Sequence, residues 1–238
     1  MNSFTFNGTS SETIGLYVGG QNTFNSPQRD VTKVSVPGRN GDLVRDNGRF
    51  LNVQVAYNVV AMNDFVETAM SVRNWLLSAI GYKRLEDTYH PNHYRMARVE
   101  DTITFETSAY NATGKAQITF DCKPQRFLKS GEEAQAFSSS GVITNPTLFE
   151  SRPLIRVRCS DYGSGTVTIG NQIIHINNDE GDIYIDCETM NCYNGVVNKN
   201  NNVILGSNGY PVLGTGDTGI DFDGDVFKVD ITPRWWEL

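Results

Sequence analysis

The stretch from Leu51 to Val59 constrains the fold more than any other. Leu51, Val53, Val55, Tyr57 and Val59 alternate with Asn52, Gln54, Ala56 and Asn58. Successive side chains of an extended strand point to opposite faces, so one face of this segment is apolar and the other wet. That is the pattern of an antiparallel strand half buried in a sheet. Just upstream, Val36-Pro37-Gly38-Arg39-Asn40-Gly41-Asp42-Leu43 carries turn chemistry. Asn40-Gly41 is the pair that a type I′ turn selects, because both central residues need positive φ. The expectation is a hairpin that leads into a long amphipathic strand.

One helix is expected, from about Phe65 to Ile80. Phe65, Ala69, Val72, Leu76 and Ile80 recur at helical spacing and form one apolar stripe. Asp64 and Glu67 have the offset of a capping box, and Gly81 stands where a glycine would end the helix. Strands are expected over roughly 95–99, 102–108 and 115–122, the last two joined by Asn111-Ala112-Thr113-Gly114. A lone helix in a run of antiparallel strands must cover one sheet face. Near residue 130 the composition turns polar, with Lys129-Ser130-Gly131-Glu132-Glu133 and Ser138-Ser139-Ser140-Gly141. This divides the chain into a mixed α+β block, 1–132, and an all-β block, 133–238.

In the second block, short strands are expected at Leu154–Cys159, Thr166–Ile169, Gln172–Ile176, Asp182–Asp186, Val203–Leu205 and Val226–Ile231. Gly170-Asn171 reads as a two-residue hairpin loop, and Asn191 to Asn202 as an Asn-rich loop. Evenly spaced short strands over such a length suggest a sandwich.

The 238 residues carry a formal charge of −7. That acidity argues against a nucleic-acid binder, which would present a basic face. The N-terminus lacks the basic and apolar regions of a signal peptide, and no apolar run approaches a membrane span. Folding in a cytoplasm is expected. The four cysteines, Cys122, Cys159, Cys187 and Cys192, form no CxxC pair and read as small buried thiols.

Arrangements that carry chemistry fail on spacing. Asp221-Phe222-Asp223-Gly224-Asp225 resembles a calcium loop, but its Gly falls at the fourth position and Thr232 stands where the closing Glu should be. A hairpin turn at Asp223-Gly224 is the favoured reading. His90 and His93 flank Pro91, which excludes a helical zinc motif. His175 lies in a strand pattern. No nucleophile elbow or phosphate loop occurs, and no cofactor or metal is expected. Trp235 and Trp236 would face opposite sides of a strand. The outward one would be a carbohydrate platform or an interface anchor, unless the tail folds back and buries both.

Taken in order, several short motifs resemble the distal tail proteins of long non-contractile-tailed phages (siphophages). In the first block these are Phe6-Asn7-Gly8 with Gly15-Leu16, Pro37-Gly38-Arg39-Asn40-Gly41, Asp46-Asn47-Gly48-Arg49-Phe50, Gly81-Tyr82, Leu85-Glu86-Asp87, His90-Pro91 with Tyr94-Arg95-Met96-Ala97, and Phe120 to Phe127. In the second they are Thr144-Asn145-Pro146, Ser151-Arg152-Pro153-Leu154-Ile155, Tyr184-Ile185-Asp186-Cys187 and Ile231-Thr232-Pro233-Arg234-Trp235.

The resemblance implies a mainly β protein: a tail-tube-like β-sandwich with one helix and a long hairpin, then a galectin-like β-sandwich. It implies a non-enzymatic virion component, a hub in which a homo-hexameric ring joins the tail-tube protein to a tail-associated lysin or tail-fibre protein. In some members a receptor-binding protein docks there too. Neither membrane nor specific nucleic-acid binding is implied, and synthesis takes place in the host bacterial cytoplasm. A hairpin bearing Arg39, Asn40, Asp42, Arg45 and Arg49 is then a candidate for crossing to a neighbouring subunit. The alternatives are a galectin-like lectin using Trp235 or Trp236, a tail-tip cell-wall hydrolase, and the tail-tube protein itself.

Overall fold

The computed structural model describes residues 2–19, 24–62, 64–108 and 112–238. Asn111, at the start of the expected turn before Gly114, lies outside them. The chain divides into two units, Met1–Arg126 with Leu238, and Phe127–Glu237. Each unit has its own cluster of buried side chains.

The elements of the first unit are Phe4–Phe6 (β1), Thr9–Ser10 (β2), Leu16–Val18 (β3), Arg29–Val34 (β4), Leu43–Phe50 (β5), Val53–Met62 (β6), the helix Phe65–Leu77 (α1), Lys83–Asp87 (β7), His93–Arg98 (β8), Phe105–Ser108 (β9) and Thr113–Leu128 (β10). The main sheet runs β2-β1-β7-β8-β10-β6-β3, with β9 also on β10. β6 carries the expected alternation, and Val53, Val55, Tyr57, Val59 and Ala61 are buried. Leu51 is exposed, because the chain leaves the sheet between β5 and β6. Antiparallel pairing sets Ile118 opposite Tyr57 and Phe120 opposite Val55. The bulky residues of both strands therefore share one face.

That face closes over an aromatic cluster. The Phe4 ring lies 5.0 Å from Tyr57 and 5.6 Å from Trp75, and Phe6 lies 5.2 Å from Phe120. Trp75 Nε1 donates to the Phe6 carbonyl at 3.2 Å, so the half-buried indole packs on the core without stranding its polar atom. α1 covers this core with Phe65, Thr68, Ala69, Val72 and Leu76. Gly114 makes the contact possible: a Cβ there would sit 2.1 Å from the Phe65 ring.

The helix departs from expectation at both ends. Asp64 has φ 43° and ψ 45° and makes no side-chain cap bond. An N-cap side chain folds back over the first turn only from an extended backbone, so the Asp64–Glu67 capping box does not form. The helix stops at Leu77. Ile80 is 89% exposed, and Gly81, at φ 72°, serves the turn into β7.

The second unit comprises Gln135–Phe137 (β11), Gly141–Asn145 (β12), Leu154–Cys159 (β13), Ser164–Ile169 (β14), Gln172–Asn177 (β15), Ile183–Asp186 (β16), Asn191–Asn194 (β17), Val197–Asn198 (β18), Val203–Leu205 (β19), Gly216–Gly224 (β20), Val226–Thr232 (β21) and Trp236–Glu237 (β22). One sheet runs β11-β21-β13-β16-β17-β18 and the other β12-β20-β14-β15-β19. Ile155, Val157, Ile183, Ile185, Val229 and Ile231 from the first pack with Ile143, Val167, Ile169, Ile174 and Ile220 from the second. The result is a β-sandwich. All four cysteines of the chain are buried and free, and burial pushes the Cys122 and Cys187 thiols up to about 12.

Gly170, at φ 59°, turns β14 into β15 with Ile169 opposite Gln172, the glycine-first form of a two-residue hairpin. Two other expectations fail. Asn191 to Asn202 is the short hairpin β17–β18 followed by a 3-10 turn, not a loop. Asn200 Oδ1 accepts the Cys192 N–H at 2.6 Å and Asn202 Nδ2 donates to the Asn177 carbonyl at 2.9 Å, so side-chain amides replace ladder bonds. Asp223-Gly224 is not a hairpin turn either. β20 and β21 belong to different sheets, and the chain switches between them at a corner. Gly224 pairs with Gly165, where a Cβ would meet the Asp223 carbonyl at 2.3 Å. Asp223 and Asp225 accept the backbone N–H groups of Thr166 and Ser164, each at 2.9 Å. Their carboxylates tie the corner down.

Candidate functional site: an exposed two-stranded arm

Among the described residues, β4 and β5 pair only with each other. Val34 stands opposite Leu43, Lys33 opposite Val44 and Thr32 opposite Arg45. The eight-residue connection is not the type I′ turn expected at Asn40-Gly41. Arg39 N donates to the Val36 carbonyl at 3.1 Å, and Gly38 has φ 79° while Asn40 is not left-handed. Pro37-Gly38 therefore forms a type II-like turn, with proline's fixed φ first and glycine's positive φ second. Gly41, at φ 81°, supplies a second bend before β5.

The base of the arm is cross-linked. Arg29 pairs with Asp46 at 2.8 Å and Arg49 with Asp30 at 2.7 Å. Asn47 Nδ2 donates to Asp30 Oδ1 at 2.9 Å, and the Gly48 N–H donates to Asp46 Oδ1 at 2.8 Å. The register shifts between Arg29 and Val31, and the left-handed Gly48 (φ 71°) takes up the extra residues on β5. These bonds hold both carboxyls below their ordinary range: for Asp30 through Asn47 and then Arg49, for Asp46 through the Gly48 N–H and then Arg29.

The five sequence-selected residues thus separate. Arg49 belongs to the base, while Arg39, Asn40 and Asp42 lie in the distal connection and Arg45 on β5, all exposed. No hydrogen bond or ion pair to a described residue engages the Arg39, Asn40, Asp42 or Arg45 side chains. Beside them, Val34 and Leu43 form a cross-strand apolar pair, 51% and 45% exposed. This pair was not legible in the sequence, because apolar residues in a strand look alike whether they face a core or water.

The same unit has a second apolar surface. Val66, Met70 and Leu77 project from α1 opposite its buried stripe, with Ile80 just beyond. A groove of about 430 Å³ lined by Leu77, Arg73, Ile103 and Phe105 runs beside them.

In the second unit, Trp235 is buried in the sandwich core. Trp236 is half-buried: its ring stacks on Phe149 at 4.5 Å and its Nε1 donates to the Glu150 carbonyl at 2.9 Å. His175 faces outward on β15, with Nδ1 3.4 Å from Thr166 Oγ1. His90 lies 3.1 Å from Asp87 Oδ1. Among the described residues, no three His, Cys, Asp or Glu side chains cluster closely enough to hold a metal ion. No described helix is long and apolar enough to cross a membrane.

No protein-family model and no curated protein sequence matches the chain. Solved structures do. The Dit (gp 19.1) protein of phage SPP1, described as a paradigm of the hub of the adsorption apparatus in phages infecting Gram-positive bacteria, superposes with a TM-score of 0.77 at 12% identity over 100% of both chains. A chain of the phage p2 baseplate in its activated conformation with strontium matches at a TM-score of 0.57 and 11% identity over 97% of each chain. The calcium form matches at 0.52 and 10%, again over 97% of each. At such identities the likeness is one of fold, and it runs through both units in the same order.

Proposed function

We propose that this chain is a distal tail hub, a structural component of a phage tail whose copies close into a homo-hexameric ring. The ring would join the tail-tube protein on one side to a tail-associated lysin or fibre protein, and to any receptor-binding protein, on the other. The observation that carries this reading is the match over the full length of both chains to a protein described as an adsorption-apparatus hub. A likeness confined to one unit would fit a tube subunit or a lectin equally well. The protein would be made in the host bacterial cytoplasm and reside in the virion.

The surfaces of the first unit support the ring. A two-stranded ribbon is marginal on its own, and its open edges invite pairing. A neighbouring subunit can supply that pairing by strand addition, with Arg39, Asn40, Asp42 and Arg45 giving polar contacts and Val34 and Leu43 the apolar one. The helix stripe of Val66, Met70, Leu77 and Ile80 gives a different surface of the same unit. A closed ring needs two unlike surfaces that meet. In this reading residues 1–132 form the ring and 133–238 carry what docks beneath it. Trp235 and Trp236 lend the lectin reading no support, since one is a core residue and the other is occupied by Phe149. No residue is assigned a catalytic role.

Light scattering with negative-stain imaging tests the proposal. The expected result is a particle of six times 26.5 kDa with a central hole, formed by the protein alone or once the tail-tube protein is added. A monomer under both conditions would overturn it.

A further inference from the structure

In the first unit, Arg95 occupies a core-facing position on β8 and is only 7% exposed. Neither of its terminal nitrogens, Nη1 and Nη2, has a hydrogen-bond partner among the described residues, and neither does the buried Nε of Arg126 on β10. Buried polar atoms are nearly always satisfied, and a buried guanidinium without a partner is strongly unfavourable. Both arginines line one small cavity, with Tyr57, Asp87, His90 and His93.

Asp87 is the only carboxylate in that lining, and it is engaged elsewhere. Its Oδ2 accepts the Tyr57 hydroxyl at 2.7 Å, and its Oδ1 accepts the His90 backbone N–H at 2.8 Å and faces His90 Nδ1 at 3.1 Å. Tyr57 stays a neutral donor, because burial first, and then Asp87, raise its pKa well above 10.0. The lining therefore holds two guanidinium charges against one carboxylate. Burial, and then the charge of Arg126, lower the pKa of Arg95. The cavity volume of about 10 Å³ has room for a single water or a single ion of similar size. A water would occupy the space without removing the excess positive charge, whereas a halide would accept from the orphaned donors and neutralise it.

We propose that this cavity is a binding site for one halide-sized monovalent anion, held by Arg95 and Arg126. Sulfate and phosphate are too large for it. Its effect is to stabilise the first unit, and it is independent of the hub reading.

The test is thermal unfolding of the full-length protein at constant ionic strength in sodium chloride, bromide, gluconate or sulfate, with anomalous scattering from a bromide crystal. The expected result is a Tm that rises by roughly 2–4 °C per tenfold of chloride or bromide above the dissociation constant, with no such rise in gluconate or sulfate. An anomalous peak should lie between the two guanidinium groups. The variant Arg95→Met, and Arg126→Gln should Arg95→Met fail to fold, should lose the halide dependence. Equal Tm values in all four salts, or a cavity without the bromide peak, would mean a water-filled pocket and overturn the proposal. So would a halide response that survives in the variant.

Discussion

Arg234 is held at φ 58°, a left-handed conformation that side chains other than glycine adopt only when their surroundings enforce it. The surroundings do so from two directions. Its N–H donates to the Gly131 carbonyl at 2.8 Å, and its guanidinium grips Asp186 with Nη1 to Oδ1 at 2.6 Å and Nη2 to Oδ2 at 3.2 Å. Gly131 must stay bare, because a Cβ there would lie 2.4 Å from the Trp235 nitrogen. Burial alone would raise the pKa of Asp186. The Arg234 hydrogen bonds and charge, with the N–H groups of Thr189 and Glu188, outweigh it and leave the carboxyl below its ordinary 3.8. Asp186→Asn should therefore destabilise the second unit by about 1.5–3 kcal/mol at neutral pH. A carboxyl whose pKa is lower folded than unfolded contributes in full above the unfolded value and loses its contribution as pH falls through the folded one. The gap between wild type and Asp186→Asn in urea unfolding should then be constant from pH 7 down to about 4 and shrink below that. A gap unchanged at pH 2 would exclude the charge pair as its source.

At the scale of elements, the arm β4–β5 makes the sharpest prediction. Val34 and Leu43 touch no core cluster, so replacing both with Glu should change the stability of the isolated subunit by no more than about 0.5 kcal/mol each. The same double variant places two like charges on the ribbon face proposed to meet a neighbour and should shift the proposed ring to monomer in light scattering. An oligomer unaffected by it would remove the arm from the interface. What was legible in the chain follows from how each element is buried. β6, α1, β13, β15 and β21 bury one face against a core, and their periodicity shows it. β20 escaped the sequence reading, which assigned only its end, Asp223-Gly224, as a turn: Asp217, Asp221 and Asp223 stand on its outer face, and of Gly216–Gly224 only Ile220 is fully buried. The arm was legible through its Pro and Gly residues but mistaken in its turn type. Asn40-Gly41 meets the compositional rule, yet Pro37-Gly38 bends the chain first. The base pairing of Arg49 with Asp30 lay beyond reach, since it depends on a register shift that no alternation encodes. The stacking of Trp236 on Phe149 depends likewise on how the chain end returns to residues far away in sequence.

At the scale of the whole molecule, the two cores contain no buried side chain in common. The first is knit by aromatic rings, Phe4, Phe6, Tyr57 and Phe120. The second is built from isoleucine and valine interdigitating between two sheets. The hub role proposed above would benefit from such a division, because two separate cores would let each unit hold its own docking face. Cooperativity tests the division. Ile118 and Ile185 are each fully buried, one in each core, and truncating such a side chain to Ala costs about 2–5 kcal/mol. In calorimetry of the unassembled protein, Ile118→Ala should lower one unfolding transition and Ile185→Ala the other, each leaving its counterpart in place. A single transition displaced equally by both variants would mean that the chain unfolds as one body and that its two cores are energetically one.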